Sequence, residues 1–311
     1  MQGRIFRWKT TTEQFQYYDS GKYSAPYMSN VSGTSYYNRF VLATEATNLP
    51  LMEKGRAKGW IKGDPNIFYR DEAQRVTSLA TKEFAGNTSL LTFIEFEHFS
   101  IATIPDQCFS GCTALKEIIY PKALKSTGTW GVFDKCYKLT ALPDMTHFSV
   151  AKYGNTDNSG SYANSCSSLT EIHFATATSY YARGSFGHNT GIKEITIPSG
   201  ATEIRYQAFV YCKLHKIIFY DGGNLVIGSS SFYFESGVPH TIICERTVRP
   251  TLDGGAHSAT FGYAQNTTIY YPAGSDYSHW MTFAYSGLKD NCRFIPCQRG
   301  EDGHLIIPEE N

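Results

Sequence analysis

Cysteine and histidine are the residues of this chain that could support a metal or redox site, and their spacing argues against one. The chain has eight cysteines and nine histidines in 311 residues. His240 and Cys244 are four residues apart, and Cys292 and Cys297 are five apart. No second pair completes the spacing of a zinc site. The sequence therefore predicts no metal centre and no cofactor.

A polar stretch at residues 155–161 has the oxygen-rich composition of a calcium-binding loop. The EF-hand type of loop needs a bidentate glutamate at its twelfth position, and Cys166 stands there instead. We therefore predict a surface loop, which could still contact a partner.

The sequence contains none of the short motifs that commonly carry catalysis or phosphate binding. It has no G-x-S-x-G elbow, no H-E-x-x-H pair, no P-loop and no G-x-G-x-x-G turn. We predict that the chain is not an enzyme. A glycan-active enzyme assembled from distant residues is the weaker alternative.

The chain contains a repeating apolar pattern, and the coils that it predicts would position any functional group. One position of the pattern, which we call the slot, is filled by phenylalanine in all but one coil. It recurs at spacings of 25, 24, 30, 23, 23 and 23 residues, and its occupants are Phe84, Phe109, Phe133, Ala163, Phe186, Phe209 and Phe232. A regular period broken once by a polar insertion predicts a stack of coils with the insertion on the outside. No single coil can bury its apolar face alone, so each coil folds only between its neighbours.

The position three residues after this slot is held by cysteine or asparagine in six coils. Its occupants are Asn87, Cys112, Cys136, Cys166, Asn189 and Cys212. Small residues that recur at one repeat position predict a buried ladder. We interpret the thiols as compact apolar groups in that ladder, in preference to disulfide or metal ligands.

Charge and hydropathy exclude several classes of partner. The 28 basic residues balance the 28 acidic ones, so no global field attracts nucleic acid or anionic lipid. The N-terminal residues lack the apolar run of a secretory signal peptide, and no stretch of about 18 apolar residues could span a bilayer. We predict no nucleic-acid partner and no membrane insertion.

Residues 1–75 do not follow the repeat. Short aromatic and β-branched runs alternate there with Gly, Ser, Asn and Pro, which favours strands and loops. We predict an N-terminal β cap or attachment segment that protects the first coil. The tyrosine-rich run at 15–37 has two interpretations: packing within that cap, or stacking on a carbohydrate or protein partner.

The stretches KEITIPSGATEIRYQAFVYC (193–212) and CFSGCTALKEIIYP (108–121) resemble the BspA-like, or Treponema pallidum type, leucine-rich repeats. Residues 247–287 are similar to the closing segment of that family, with Ile269, Pro272, Tyr277 and Trp280 in its characteristic places. The resemblance implies a β-rich repeat solenoid, a leucine-rich-repeat stack of about six coils. It also implies a bacterial surface or secreted protein that acts in adhesion or protein binding.

The predicted organisation has three parts. Residues 1–75 form the cap, residues 76–297 form the repeat domain with its closing segment from about 245, and residues 298–311 form a C-terminal tail.

Strand alternation within each coil identifies the candidate binding residues. Side chains of a strand point alternately to opposite faces, which directs Ile118, Ile172, Ile195 and Ile217 inward. Two outward rows follow from this alternation: Glu117, Glu171, Glu194 and Lys216 in one, Ile119, His173, Thr196 and Ile218 in the other. These rows are either a binding surface with isoleucine anchors or a solvated face that keeps the sheet soluble.

The sequence hypothesis is therefore a non-enzymatic binding or adhesion module. It would recognise a protein or a glycan on a host or neighbouring cell through its sheet face. The alternative is a structural or receptor-binding component of an assembled particle such as a phage tail, in which residues 1–75 would join it to the particle or to further copies of itself. The first hypothesis implies a cell-surface location and the second a virion.

Overall fold

The computed structural model describes residues 78–88, 93–96, 101–149, 152–155, 160–253, 259–288 and 292–308, together with three short strands nearer the N terminus. The chain forms two compact units, residues 1–141 and 142–311. The tyrosine-rich run at 15–37 lies outside the described residues. The three-part organisation and the N-terminal cap stay predictions.

In the described parts of the chain, short strands make up most of the regular structure, and one short helix lies near the C terminus. The elements are β1 Arg4–Arg7, β2 Phe40–Ala43, β3 Ile67–Phe68, β4 Phe93–Glu95, β5 Thr103–Ile104, β6 Glu117–Ile119, β7 Ser126–Thr127, β8 Lys152–Tyr153, β9 Tyr180–Tyr181, β10 Glu194–Ile197, β11 Glu203–Ile204, β12 Phe209–Leu214, β13 Lys216–Phe219, β14 Val226–Gly228, β15 Phe232–Phe234, β16 His240–Cys244, β17 Thr251–Asp253, β18 Phe261–Gly262, β19 Thr267–Pro272, α1 Ser278–Thr282 and β20 Arg293–Cys297.

The described strands of the first unit form three small sheets. Strands β2, β1 and β3 form one of them, in which β1 is antiparallel to β2 and parallel to β3. The other two are the parallel pairs β4–β6 and β5–β7. Parallel pairing of strands that recur once per coil is the pattern of stacked leucine-rich repeats.

The second unit is a parallel β-solenoid in which successive coils lie in register. Its strands form three parallel sheets, with the orders β10-β13-β16-β19-β20, β17-β14-β11-β9-β8 and β12-β15-β18. We call them the first, second and third sheets. Each of three successive coils gives one strand to each sheet. These coils are β10-β11-β12, β13-β14-β15 and β16-β17-β18. The predicted repeat solenoid is confirmed.

The phenylalanine slot forms a stacked column inside each unit. In the first unit the ring centroids are 5.1 Å apart between Phe84 and Phe109 and 5.8 Å apart between Phe109 and Phe133. In the second unit the centroid distances are 5.5, 5.3 and 5.6 Å along Phe186, Phe209, Phe232 and Phe261. The rings are nearly parallel within each column. Successive coils are thereby held at the spacing of hydrogen-bonded strands.

The cysteine and asparagine position is buried, as predicted, but it does more than fill space. All eight cysteines are free. Three thiols donate hydrogen bonds to the carbonyl oxygen of the slot residue one coil earlier, namely Cys112 to Phe84 at 2.9 Å, Cys136 to Phe109 at 3.1 Å and Cys212 to Phe186 at 3.2 Å. Asn189 makes the equivalent bond to Ala163 at 2.9 Å. Burial raises the pKa of Cys212 to about 12, so this thiol keeps the proton that it donates.

The insertion between Phe133 and Ala163 is only partly a surface loop. Residues 156–159 fall outside the described part of the chain. Tyr153 and Tyr162, on either side of them, are fully buried. Their ring centroids lie 5.3 and 5.5 Å from that of Phe186. The two tyrosines supply aromatic surface beside the slot where alanine replaces phenylalanine.

A buried arginine ties the closing segment to the coils before it. The guanidinium of Arg246 donates to the carbonyl oxygens of Pro198, Ser199 and Ala201 at 3.1–3.2 Å. Its own carbonyl oxygen accepts a 2.7 Å hydrogen bond from the Tyr277 hydroxyl. The same guanidinium donates to the carbonyl oxygen of Gly223 in the next coil. One side chain thus joins the turns of three successive coils through charge-assisted hydrogen bonds.

Residues 298–308 fold back onto the outer face of the first sheet as a hairpin, which we call the C-terminal hairpin. Arg299 and Leu305 pair across it, and Leu305 packs with Tyr270 and Cys297. Ile243 and Ile295 border this apolar cluster. The hairpin therefore covers the face of the last three strands of the first sheet.

Two polar side chains of the hairpin, His304 and Arg299, hold it in place. The His304 Nδ1 atom lies 2.9 Å from the Glu245 carboxylate, which is almost completely buried. The Arg299 guanidinium donates to the Glu245 carbonyl oxygen and contacts Asp221 at 2.9 Å. The hydrogen bond to Glu245 raises the pKa of His304.

We predict that Phe209→Ala lowers the free energy of unfolding by about 3–5 kcal/mol, because it leaves a cavity and removes two ring contacts from the column. The measurement is urea denaturation followed by circular dichroism. Tyr206→Ala, which truncates a side chain that is 39% exposed, is the control and should cost less than about 1 kcal/mol. A loss for Phe209→Ala as small as that of the control would contradict the role of the column.

We also predict that the C-terminal hairpin detaches more readily as the pH rises. His304 has a raised pKa in the folded state, so its contribution is complete below the ordinary value of about 6.5 and disappears as the pH passes through the raised value. Hydrogen exchange of the hairpin amides, corrected for intrinsic rates, measures this detachment. The His304→Asn variant should lose the pH dependence, and a wild-type profile as flat as that of the variant would refute the prediction.

Candidate binding surface

The structure places the predicted rows on the outer face of the sheets. The inward isoleucines are at most 7% exposed, namely Ile118, Ile172, Ile195 and Ile217. The eight outward residues alternate with these isoleucines along the strands. Four of them are exposed, namely Glu117, Glu171, His173 and Glu194, and four are half-buried, namely Ile119, Thr196, Lys216 and Ile218. The predicted alternation is confirmed, although the two isoleucine anchors present less surface than a fully exposed side chain.

Six of the eight residues belong to the second unit, and four of those are in strand register. Glu194 lies opposite Lys216, and Thr196 lies opposite Ile218, on β10 and β13. The Lys216 ammonium is 3.7 Å from the Glu194 carboxylate. Glu117 and Ile119 lie in the first unit, on β6, which pairs with β4.

The rows continue further than the sequence pattern indicated. Beyond Ile218 the second row runs through Ile243, Tyr270 and Ile295 on the next three strands. The C-terminal hairpin packs on these three residues. Only the part of the first sheet near β10 and β13 is left free of the hairpin.

Residues 171–174 do not form the strand that the repeat predicts. No strand pairing joins them to β10, although both segments are fully described. The backbone N–H of Ala175, which follows this segment, donates to the Tyr153 hydroxyl at 3.1 Å. Strand β10 is an edge of the first sheet, and an edge strand leaves backbone groups unpaired on one side.

A groove of about 360 Å³ lies at this break in the sheet. It is lined by four of the predicted residues, Glu171, His173, Glu194 and Thr196. Tyr220 and Pro198 add apolar surface to the lining. The structure thus brings together half of the predicted site and adds Tyr220, which the repeat pattern did not single out because it follows the last inward position of its strand.

The groove is acidic, and Tyr220 is the exposed aromatic residue of its lining, whereas Phe174 is buried. Two carboxylates face one imidazole, and the His173 ring nitrogen lies 3.5 Å from the Glu171 carboxylate. Tyr220 is 40% exposed, and its ring centroid lies 5.6 Å from that of His304 in the C-terminal hairpin. This arrangement suits a ligand that offers hydrogen-bond donors or positive charge next to an apolar group.

Two further observations concern only the part of the chain that the structure describes. No group of three or more His, Cys, Asp or Glu side chains there is arranged to hold a metal ion. No helix there has both the length and the hydropathy needed to cross a bilayer.

Comparison with known proteins agrees with this geometry. The model of the BspA type leucine-rich repeat region matches in six copies over residues 77–215 and 157–249, which together make up more than half of the chain. The crystal structure of a leucine-rich repeat protein from Bacteroides ovatus is similar at 18% identity and a TM-score of 0.39. That match covers 71% of this chain and 64% of the other chain, which is less than two thirds of its length. No curated protein matches.

Modules of this repeat type are typically non-enzymatic, serve in protein binding or adhesion, and are often surface-associated. Because the family model spans most of the repeated coils, the chain belongs to the BspA type of leucine-rich repeat proteins.

Proposed function

We propose that this chain is a non-enzymatic recognition module that binds a partner protein through the groove beside β10. The observation that carries the proposal is the break between residues 171–174 and β10, which turns a flat sheet face into a concave site. Concave sites with a few convergent polar groups are the usual places for ligand recognition.

The groove offers an extended partner segment two kinds of contact. Strand β10 is a sheet edge, and its unpaired backbone groups can bond to a peptide added along that edge. Tyr220 supplies a half-exposed ring next to it, and tyrosine is enriched among the residues that dominate binding energy at interfaces. The edge would supply affinity, and the ring would select an apolar side chain.

The carboxylates of the groove indicate the charge of the partner segment. Glu171 and Glu194 line the groove, and Lys216 lies 3.7 Å from Glu194 at one side of it. A lysine or arginine of the partner would pair with these carboxylates and would lose that attraction at high salt. We infer a partner segment that combines one basic and one apolar residue.

The position of the C-terminal hairpin favours a binding site at the β10 end of the first sheet. It already occupies the second row from Ile243 to Ile295, so a partner meets the uncovered strands β10 and β13. The proposal includes a cell-surface location, because BspA-type proteins are often surface-associated.

We predict that Tyr220→Ala weakens binding of a groove ligand by about tenfold or more, because the variant removes the aromatic contact. The ligand is a peptide selected by the immobilised protein from a displayed random library and then measured by calorimetry. Tyr206→Ala is a closely matched control, since Tyr206 is 39% exposed and Tyr220 40% exposed, but Tyr206 lines a different groove. If both variants weaken the selected peptide equally, or neither does, the groove is not the site.

We further predict that the double variant Glu171→Gln/Glu194→Gln flattens the salt dependence of this binding. The isosteric amides keep the shape of the groove and remove the two charges that attract a basic residue. Affinities at about 50 mM and about 500 mM salt, compared between the wild type and the variant, measure the effect. An identical salt dependence in the two proteins would show that these carboxylates do not contact the ligand.

A further inference from the structure

A column of exposed aromatic rings runs along the third sheet, on a different face from the groove. Its members are His188, Tyr211, Tyr233 and Tyr263, which we call the tyrosine strip. Successive ring centroids are 4.8, 5.2 and 5.7 Å apart. Tyr211 is 53% exposed and Tyr263 is 60% exposed. Rings of this size are seldom left so open to solvent in adjacent coils unless they meet a ligand.

Left-handed backbone lies beneath three of the four rings. The position two residues after the slot residue is left-handed in most coils, and in the first unit it is held by Gly86, Gly111 and Lys135, with φ of 77°, 75° and 61°. In the second unit it is held by Ser165, His188, Tyr211 and Tyr263, with φ of 64°, 61°, 56° and 59°, whereas Tyr233 lies one residue after its slot residue. Left-handed backbone is unfavourable for bulky residues, and such strain concentrates at functional sites. Stability alone would favour glycine here.

The hydroxyl groups of the tyrosine strip are available to a ligand. Among the described residues, none of the hydroxyl groups of Tyr211, Tyr233 and Tyr263 has a hydrogen-bond partner. Gly262 lies directly against the Tyr233 ring, and a Cβ atom at that position would come within 3.1 Å of the ring carbons. The ring is therefore seated on bare backbone, with its hydroxyl group available to solvent or a ligand.

A cluster of charged groups follows the strip along the chain, since Lys213 lies two residues after Tyr211 on β12 and Glu235 lies two residues after Tyr233, just past the end of β15. Glu235 accepts 2.6 Å contacts from Lys193 and His215, and Lys213 is 3.7 Å away. The hydrogen bond from Lys193 lowers the pKa of Glu235 to about 2, so this carboxylate is charged and already paired. Two lysines against one carboxylate give the cluster a net positive charge, and the Lys213 side chain is 56% exposed.

We propose that the tyrosine strip binds a carbohydrate chain that carries carboxylate groups. Tyrosine and histidine rings offer flat faces to the C–H groups of sugar rings, and tyrosine hydroxyls bond to sugar hydroxyls. Lys213 stands where it can meet a sugar carboxylate. The strip and the cluster contain no aliphatic side chain, so the contacts that they offer are ring faces, hydroxyl groups and ammonium groups, which match a sugar chain with carboxylates.

The test uses calorimetry of the full chain with oligosaccharides of galacturonic acid, alginate and hyaluronan, and with neutral cello- and xylo-oligosaccharides for comparison. We expect an acidic oligosaccharide to bind. The double variant Tyr211→Gly/Tyr263→Gly should weaken that binding by about tenfold or more. The same variant should melt at an unchanged or higher temperature, because glycine relieves the left-handed strain. A purely structural role for the rings would lower the melting temperature instead.

Matched variants separate this site from the groove. Tyr220→Ala and Tyr206→Ala should both bind the acidic oligosaccharide as the wild type does, and Lys213→Gln should weaken the acidic ligand by about fivefold or more while leaving the melting temperature unchanged. The proposal is overturned if none of the acidic oligosaccharides binds at millimolar concentration, if neutral oligosaccharides bind equally well, or if the double glycine variant retains full affinity. A loss of binding confined to Tyr220→Ala would likewise assign the carbohydrate to the groove and overturn it.

Discussion

Each coil depends on contacts with the coils before and after it. The backbone N–H of Phe186 donates to Ala208 in the next coil at 2.8 Å, and that of Phe209 donates to Ser231 at the same distance. The phenylalanine rings stack along the same direction. Because backbone bonds and rings share one spacing, a side chain at a given repeat position always lies above its counterpart. The buried phenylalanine column and the buried cysteine and asparagine ladder follow from that registration.

A regular stack presents the same face many times, so specific recognition requires a place where the regularity ends. The insertion lies next to such a place, since Tyr153 packs beside Phe186 and accepts a hydrogen bond from the N–H of Ala175. The neighbouring strand β10 is an edge of its sheet, with a groove beside it. The tyrosine strip contains an irregularity of its own, because Tyr211 and Tyr263 lie two residues after the phenylalanine of their coils, whereas Tyr233 lies one residue after its own.

The C-terminal hairpin covers an apolar row on the outer face of the first sheet. Open apolar rows on the last strands of a sheet would otherwise invite association with other chains. Leu305 covers that row, and the polar contacts of Arg299 and His304 with Glu245 fix the hairpin over it. The same hairpin places His304 against Tyr220, so the covered end of the sheet and the free groove share a border. The hairpin thus covers one part of the sheet and borders the groove at the other part.

The repeat period by itself determined the coil stack, the phenylalanine column, and the inward and outward faces, because these follow from strand alternation and from one recurring slot. It also identified Glu171, His173, Glu194 and Thr196 as outward residues of one face. Only the tertiary structure decided that they border a groove, that residues 298–308 cover the rest of the sheet, and that Arg246 joins three coils. Those features are single contacts between residues tens of positions apart. Such contacts occur once and so leave no periodic trace in the sequence.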